Sequence, residues 1–145
     1  LLVIVGVIGW SKLSPTAVPT VAPTTGGMVP PDTSQIDVGD PIVKVTLPVE
    51  LSPEAAIGKR GFDAICAACH GANAAGQNGI APPLVHKFYE PNHHSDGAFV
   101  SAAQNGVRSH HWDFGDMPPQ EGLTRADVLY IARYVRELQR ANGVK

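Results

Sequence analysis

The strongest periodic pattern of apolar positions lies near the C-terminus, in "LTRADVLYIARYVRELQRANG". Val128, Ile131, Ala132, Val135 and Leu138 recur at helical spacing and form one apolar stripe, with Arg125, Arg133, Arg136 and Arg140 mostly off it. Thr124 followed by Asp127 is a capping-box-like start, and Asn142-Gly143 is a stop. A second helix is expected from Pro53 to about Cys69. Ser52 is placed to cap it, proline takes the first helical position, and Glu54 sits near the positive end of the helix dipole. "SDGAFVSAAQNG" predicts a third, short helix, capped by Ser95 or Asp96 and stopped by Asn105-Gly106. No strand pattern survives between Leu51 and Lys145, so the expected fold is all-α with long loops. The loop from Gly71 to His94 is too long to be idle in a small domain and must wrap something.

Upstream of Leu51 the pattern changes. "LLVIVGVIGW" is an unbroken apolar run, shorter than the ~20 residues a membrane-spanning helix needs. It reads as the back half of an N-terminal anchor or as the core of a signal peptide; no small-residue cleavage site follows, which favours the anchor. Between Leu13 and Pro31 there is no charged residue, and seven of the 13 prolines fall between Ser14 and Glu50. Repeated proline blocks helix and central strand and favours extended chain. "PIVKVTLPVEL" alternates weakly and is the part most suited to lie against the domain. Three parts are therefore expected: a hydrophobic segment at residues 1–13, a Pro/Thr-rich extended linker at 14–50, and a globular domain at 51–145.

Composition narrows the function. The formal net charge of the 145 residues is −2, which argues against a nucleic-acid partner. From Pro53 onward nine acidic side chains face nine basic ones, so no strong field is available for steering. The only two cysteines, Cys66 and Cys69, are too close for a disulfide framework.

Those cysteines carry the chemistry. "CAACH", Cys66 to His70, is a C-x-x-C-H haem attachment motif. Two thiols three residues apart at a helix end meet the two vinyl groups on one porphyrin edge, and the next residue, His70, falls under the iron as proximal ligand. A zinc site would need a second ligand pair at matching spacing, for which His93-His94 is a poor substitute. A redox dithiol would need an alternating strand and helix pattern around it, which is absent.

With these residues in view, the segment from about Leu51 to the C-terminus, some two thirds of the chain, resembles the class I c-type cytochromes, small monohaem electron carriers. Gly58 and Phe62, eight and four residues before Cys66, match positions that pack against the family's last helix, where Tyr134 matches its aromatic partner. "APPL", Ala81 to Leu84, falls at the family's proline turn, and the resemblance implies that the Pro82 carbonyl accepts the His70 Nδ1–H. "QNGV" followed by Met117-Pro118 resembles the family's route to a distal methionine. The implied fold is a small cytochrome c fold of three to five helices around one covalent haem c. Cys66 and Cys69 would form the thioethers, and His70 and Met117 would ligate iron on either side.

Other ligand sets stay open at this stage. His110 or His111 could serve as distal ligand, or the iron could be open as in a peroxidase or gas sensor. Met28 lies in the linker and is a poor candidate. Trp112 and Arg108 are candidate propionate contacts, since indole and guanidinium N–H groups donate to carboxylates. His86, His93, His94, His110 and His111 are an unusual load, and the simplest expectation puts them on exposed loops around the haem; "FYEPNHHSDG" looks like an insertion at its rim. The implied function is electron transfer rather than enzymatic catalysis. The expected setting is the periplasmic side of the bacterial cytoplasmic membrane, tethered by the N-terminus, between a cytochrome bc1 complex and a terminal oxidase or photosynthetic reaction centre. The alternatives are a dedicated haem subunit of a dehydrogenase or oxidase complex, or a haem sensor or peroxidase-like protein if Met117 dissociates.

Overall fold

Ser52 joins the two ends of the domain. Its hydroxyl oxygen accepts the Ala55 N–H at 3.2 Å, capping the first helix, while its own O–H donates to Glu137 Oε1 at 2.7 Å and its backbone N–H to Glu137 Oε2 at 3.1 Å. The computed structural model describes residues 16–23 and 28–145; the apolar segment expected at 1–13 lies outside them. Helix α1 (Pro53–Gly61) runs through one π-helical turn, Phe62–Cys66, into the short helix α2 (Ala67–His70). Helix α3 (Asp96–Asn105) and helix α4 (Arg125–Ala141) follow after long loops. Among the described residues there is no sheet, only isolated bridges, and no helix is long and apolar enough to cross a membrane. The expected all-α fold and the three helix starts agree with the structure, including the capping box of Thr124 and Asp127.

The principal packing is α1 across α4. A side chain at Gly58 would have its first carbon 1.8 Å from the Tyr130 carbonyl oxygen, so only glycine lets the two backbones approach this closely. One turn on, the Phe62 and Tyr134 rings meet with centroids 5.6 Å apart, both fully buried. Ile131, Val135 and Leu138 complete this core. A smaller cluster of Val100, Ala103 and Val128 holds α3 against the start of α4.

Two features differ from the sequence expectation. The first concerns Arg136, placed off the apolar stripe by its charge but buried in the structure. Its Nε donates to Asp96 Oδ1 at 2.9 Å. One terminal nitrogen donates to the Tyr89 carbonyl at 2.6 Å and to Gln139 Oε1 at 2.7 Å, and the other to the His94 carbonyl. Gln139, also buried, donates to the carbonyls of Leu84 and Tyr89. The loop over α4 has no helical or sheet partner for these carbonyls, so polar side chains of α4 must serve them.

The second concerns residues 33–46, inside the segment expected as linker. They form no helix or strand, as the prolines demand, yet Ile36, Ile42 and Val43 are buried in the main core. The Ile42 and Val43 N–H groups both donate to the Ala75 carbonyl at 3.1 Å, and Asn78 Nδ2 donates to the Ile36 carbonyl at 2.6 Å. Thr46 exchanges two hydrogen bonds of 2.8 Å with the Asn142 side chain at the end of α4. The packed unit thus begins upstream of Leu51.

Two substitutions test this packing. Gly58→Ala should lower the unfolding free energy by about 3 kcal/mol or more, because two backbones rather than a flexible side chain must give way. Arg136→Leu should cost about 3 kcal/mol, since it removes the donor to the His94 carbonyl and to the buried Gln139 Oε1 and the ion pair with Asp96. Denaturant unfolding followed by circular dichroism measures both, and a midpoint unchanged from the parent protein would refute either account.

Candidate functional site

Cys66, Cys69 and His70 occupy one end of the long helical run. Residues three and four apart share a helix face, so the two thiols and the imidazole project from the same side. Cys66 is half-buried and Cys69 exposed. Burial, with Cys69 alongside, pushes the Cys66 thiol up to about 11. An exchange-active dithiol needs the opposite, a lowered value.

His70 is buried, and its Nδ1 lies 2.8 Å from the Pro82 carbonyl oxygen. A carbonyl only accepts, so Nδ1 carries the proton and Nε2 keeps its lone pair for a metal. Burial holds the ring below its ordinary pKa against the opposing pull of that hydrogen bond, favouring the neutral ligand form. The loop that brings Pro82 there is tightly folded. Gly71 has φ 72°, and a side chain on it would strike the Gly76 carbonyl oxygen at 2.7 Å. The Gly76 N–H donates to the His70 carbonyl at 2.7 Å. Gln77 closes the arrangement: its Nε2 donates to the Ala68 and Cys69 carbonyls at 2.9 and 3.0 Å, capping the helix that carries the motif. No periodicity marks Gln77, and the sequence pattern does not single it out.

The opposite arm of the site begins where α3 ends. Gly106 stops that helix at φ 75°, and Val107 and Met117 then exchange two backbone hydrogen bonds of 2.9 Å. This bridge ties the half-buried Met117 to the end of α3 and cinches the intervening loop. Within the loop the Ser109 N–H donates to Asp116 Oδ1 at 2.8 Å, and the Ser109 hydroxyl donates to the Trp112 carbonyl. Trp112 is buried in the main core, stacked against Phe114. Arg108 is exposed and its guanidinium bonds to no described residue. The two candidate propionate contacts therefore sit in different surroundings.

His86 departs from the expectation of an exposed loop histidine: it is fully buried. Its Nδ1 accepts the Phe88 N–H at 3.2 Å, so the neutral ring carries its proton on Nε2. Burial, then the nearby His111, lowers its pKa to about 4. Among the described residues, His86 Nε2 and Trp112 Nε1 are both buried with no hydrogen-bond partner. The two rings meet edge-on with centroids 5.5 Å apart. Two neighbouring N–H donors without acceptors fit a buried group that carries carboxylates, as haem does. The thiols and the neutral imidazole supply the attachment chemistry, so the residues present fit haem c.

The other four histidines gather beside this wall. His111 stacks on Phe88 at 4.7 Å, His110 is adjacent to it, and His93 and His94 approach from the insertion. His93 and His110 are exposed and His94 and His111 half-buried, and the four meet one another and not only solvent.

The family model for cytochrome c matches residues 55–139, more than half of the chain. No curated protein matches the chain significantly. With the C-x-x-C-H helix end, the crossing at Gly58 and the His70–Pro82 bond all inside the matched span, the chain belongs to the cytochrome c family, whose members carry a covalently attached haem c and transfer electrons through it.

Proposed function

We propose that this cytochrome is a one-electron carrier whose iron is held by His70 and Met117, with thioethers at Cys66 and Cys69. The observation that carries the reading is the commitment of His70 Nδ1–H to Pro82, which leaves Nε2 as the only ligating nitrogen. Met117 is favoured on the other side because the backbone bridge to Val107 anchors it and two prolines behind it remove backbone freedom. The competing histidines have other engagements. His110 is exposed and packs on His111, and His111 lies between Phe88 and His93. Haem c supplies a metal that changes charge by one electron, and a histidine–methionine pair raises its potential. The chain excludes water from the proximal side by burying His70, keeps that ring neutral, and holds both arms by backbone hydrogen bonds. With both axial positions filled by side chains, no substrate would reach the iron, which supports a carrier rather than an enzyme.

The wider setting belongs to the same proposal. The apolar run at residues 1–13 would tether the domain to the periplasmic side of the bacterial cytoplasmic membrane. Because the chain already bonds to the domain at Val21 and Pro23, the tether would be short and would hold the domain close to a cytochrome bc1 complex and a terminal oxidase or photosynthetic reaction centre. Tethering raises the effective concentration of such partners. The balanced charges favour docking through an apolar haem edge.

The ligand assignment has a spectroscopic consequence. The oxidised protein should show the weak long-wavelength band of methionine–iron ligation. Met117→Ala should abolish it, lower the reduction potential and let the reduced protein bind carbon monoxide. A wild type that lacks the band, or binds carbon monoxide itself, would refute the assignment.

A further inference from the structure

Four histidines at the haem rim come from two separate loops, His93 and His94 from the segment before α3, and His110 and His111 from the segment after it. Imidazoles do not gather without a reason: each proton gained by one raises the cost of protonating the next. Three of them, His93, His94 and His111, each offer a ring nitrogen, and these nitrogens all lie within 4.8 Å of one another.

The details match a coordination shell. His93 Nε2 and His111 Nε2 are 3.3 Å apart. Two imidazole nitrogens bound to one tetrahedral ion at ~2.0–2.1 Å lie about 3.3–3.4 Å from each other. His94 Nδ1 donates to the Phe88 carbonyl, which fixes the ring and leaves the Nε2 lone pair free. A ring nitrogen tied to a backbone carbonyl is the usual support of a metal-bound histidine. The rest of the frame is also held. The His93 and His94 N–H groups donate to the Glu90 carbonyl at 3.0 and 2.8 Å, Arg136 donates to the His94 carbonyl, and His111 stacks on the buried Phe88. The cation in direct contact, Arg136, is already paired with Asp96. Burial and mutual repulsion hold His94 and His111 below the ordinary histidine pKa, so neither needs to shed a proton near neutral pH.

We propose that His93, His94 and His111 form a second metal site, for a divalent transition ion of the zinc or copper type, at the rim of the haem pocket. Three imidazoles with no thiolate or carboxylate select such borderline ions over Mg²⁺ or Ca²⁺. Three protein ligands leave a fourth position open to water or to a partner's side chain. The site is independent of the axial-ligand assignment, since none of the three residues is assigned to iron.

The test uses metal-stripped holoprotein carrying no histidine tag, titrated with Zn²⁺ by calorimetry. Zn²⁺ is the probe because it exchanges no electrons with the haem. One Zn²⁺ should bind per chain, and Mg²⁺ should not compete. His93→Gln and His111→Gln should each weaken binding by about 100-fold or more, since ligand loss must cost at least as much as loss of a supporting residue. His93 is exposed, so its variant should keep the parent visible spectrum even if the His111 change disturbs packing on Phe88. No binding to the wild type, or binding unchanged in a correctly folded His93→Gln protein, would overturn the proposal.

Discussion

A histidine presents one nitrogen to a metal in a fixed orientation only if something else accepts a hydrogen bond from the N–H on the other. In this protein that something is the Pro82 carbonyl, twelve residues downstream, and much of the surrounding structure works to keep it there. The chain must reverse between His70 and Pro82, which requires Gly71 at positive φ against the Gly76 carbonyl. Gln77 must cap the helix end, and residues 33–46 must supply Ala75 and Asn78 with the partners that no sheet provides. A loop held only at its ends would let the carbonyl drift, and the ring would lose both its orientation and its tautomer. The bond is weak taken alone, on the order of 1 kcal/mol. It becomes a fixed feature because many other bonds already hold its two partners.

The same constraint explains why so small an all-α domain makes heavy use of polar side chains. Helices α1 and α4 cross at Gly58 and bury Phe62 against Tyr134, which leaves few apolar residues to hold the long loops. Arg136 and Gln139 take over that task, each binding carbonyls from the segment between Leu84 and His94. Burying a guanidinium is costly unless its donors are used. Here four of the five N–H groups are used, by the Asp96 carboxylate, the Tyr89 and His94 carbonyls and Gln139 Oε1, and the insertion that carries His93 and His94 gains a rigid base.

What the sequence made legible follows from the range of the interactions. Cys66, Cys69 and His70 were readable because their chemistry is set within one helical turn, and the starts of α1, α3 and α4 because caps are local. Gly58, Phe62 and Tyr134 were readable only through resemblance, since a helix crossing leaves no periodic trace. His86 was placed on an exposed loop because no pattern distinguishes a histidine that accepts the Phe88 N–H from one that faces water. Arg136 was placed off the buried face because charge is a good guide to exposure until loop carbonyls need donors. Ile36 lay in chain with no period of two or 3.6 residues, so only tertiary contact reveals it as core, whereas Ile42 and Val43 fall in the weakly alternating "PIVKVTLPVEL" that was suited to lie against the domain.

The rim cluster and the haem pocket share one aromatic wall. Phe88 meets His111 on one side and His86 and Trp112 on the other. His86 and Trp112 present the unpaired donors of the pocket, and His111 presents a nitrogen to His93. A packed aromatic wall has low compressibility and passes strain on, because close-packed side chains have no free volume to absorb it. An ion holding the three imidazoles would therefore fix Phe88 as well, and through it the rings of His86 and Trp112. That consequence suits a carrier, whose two oxidation states need the same geometry. A rigid rim lowers the rearrangement that accompanies each electron.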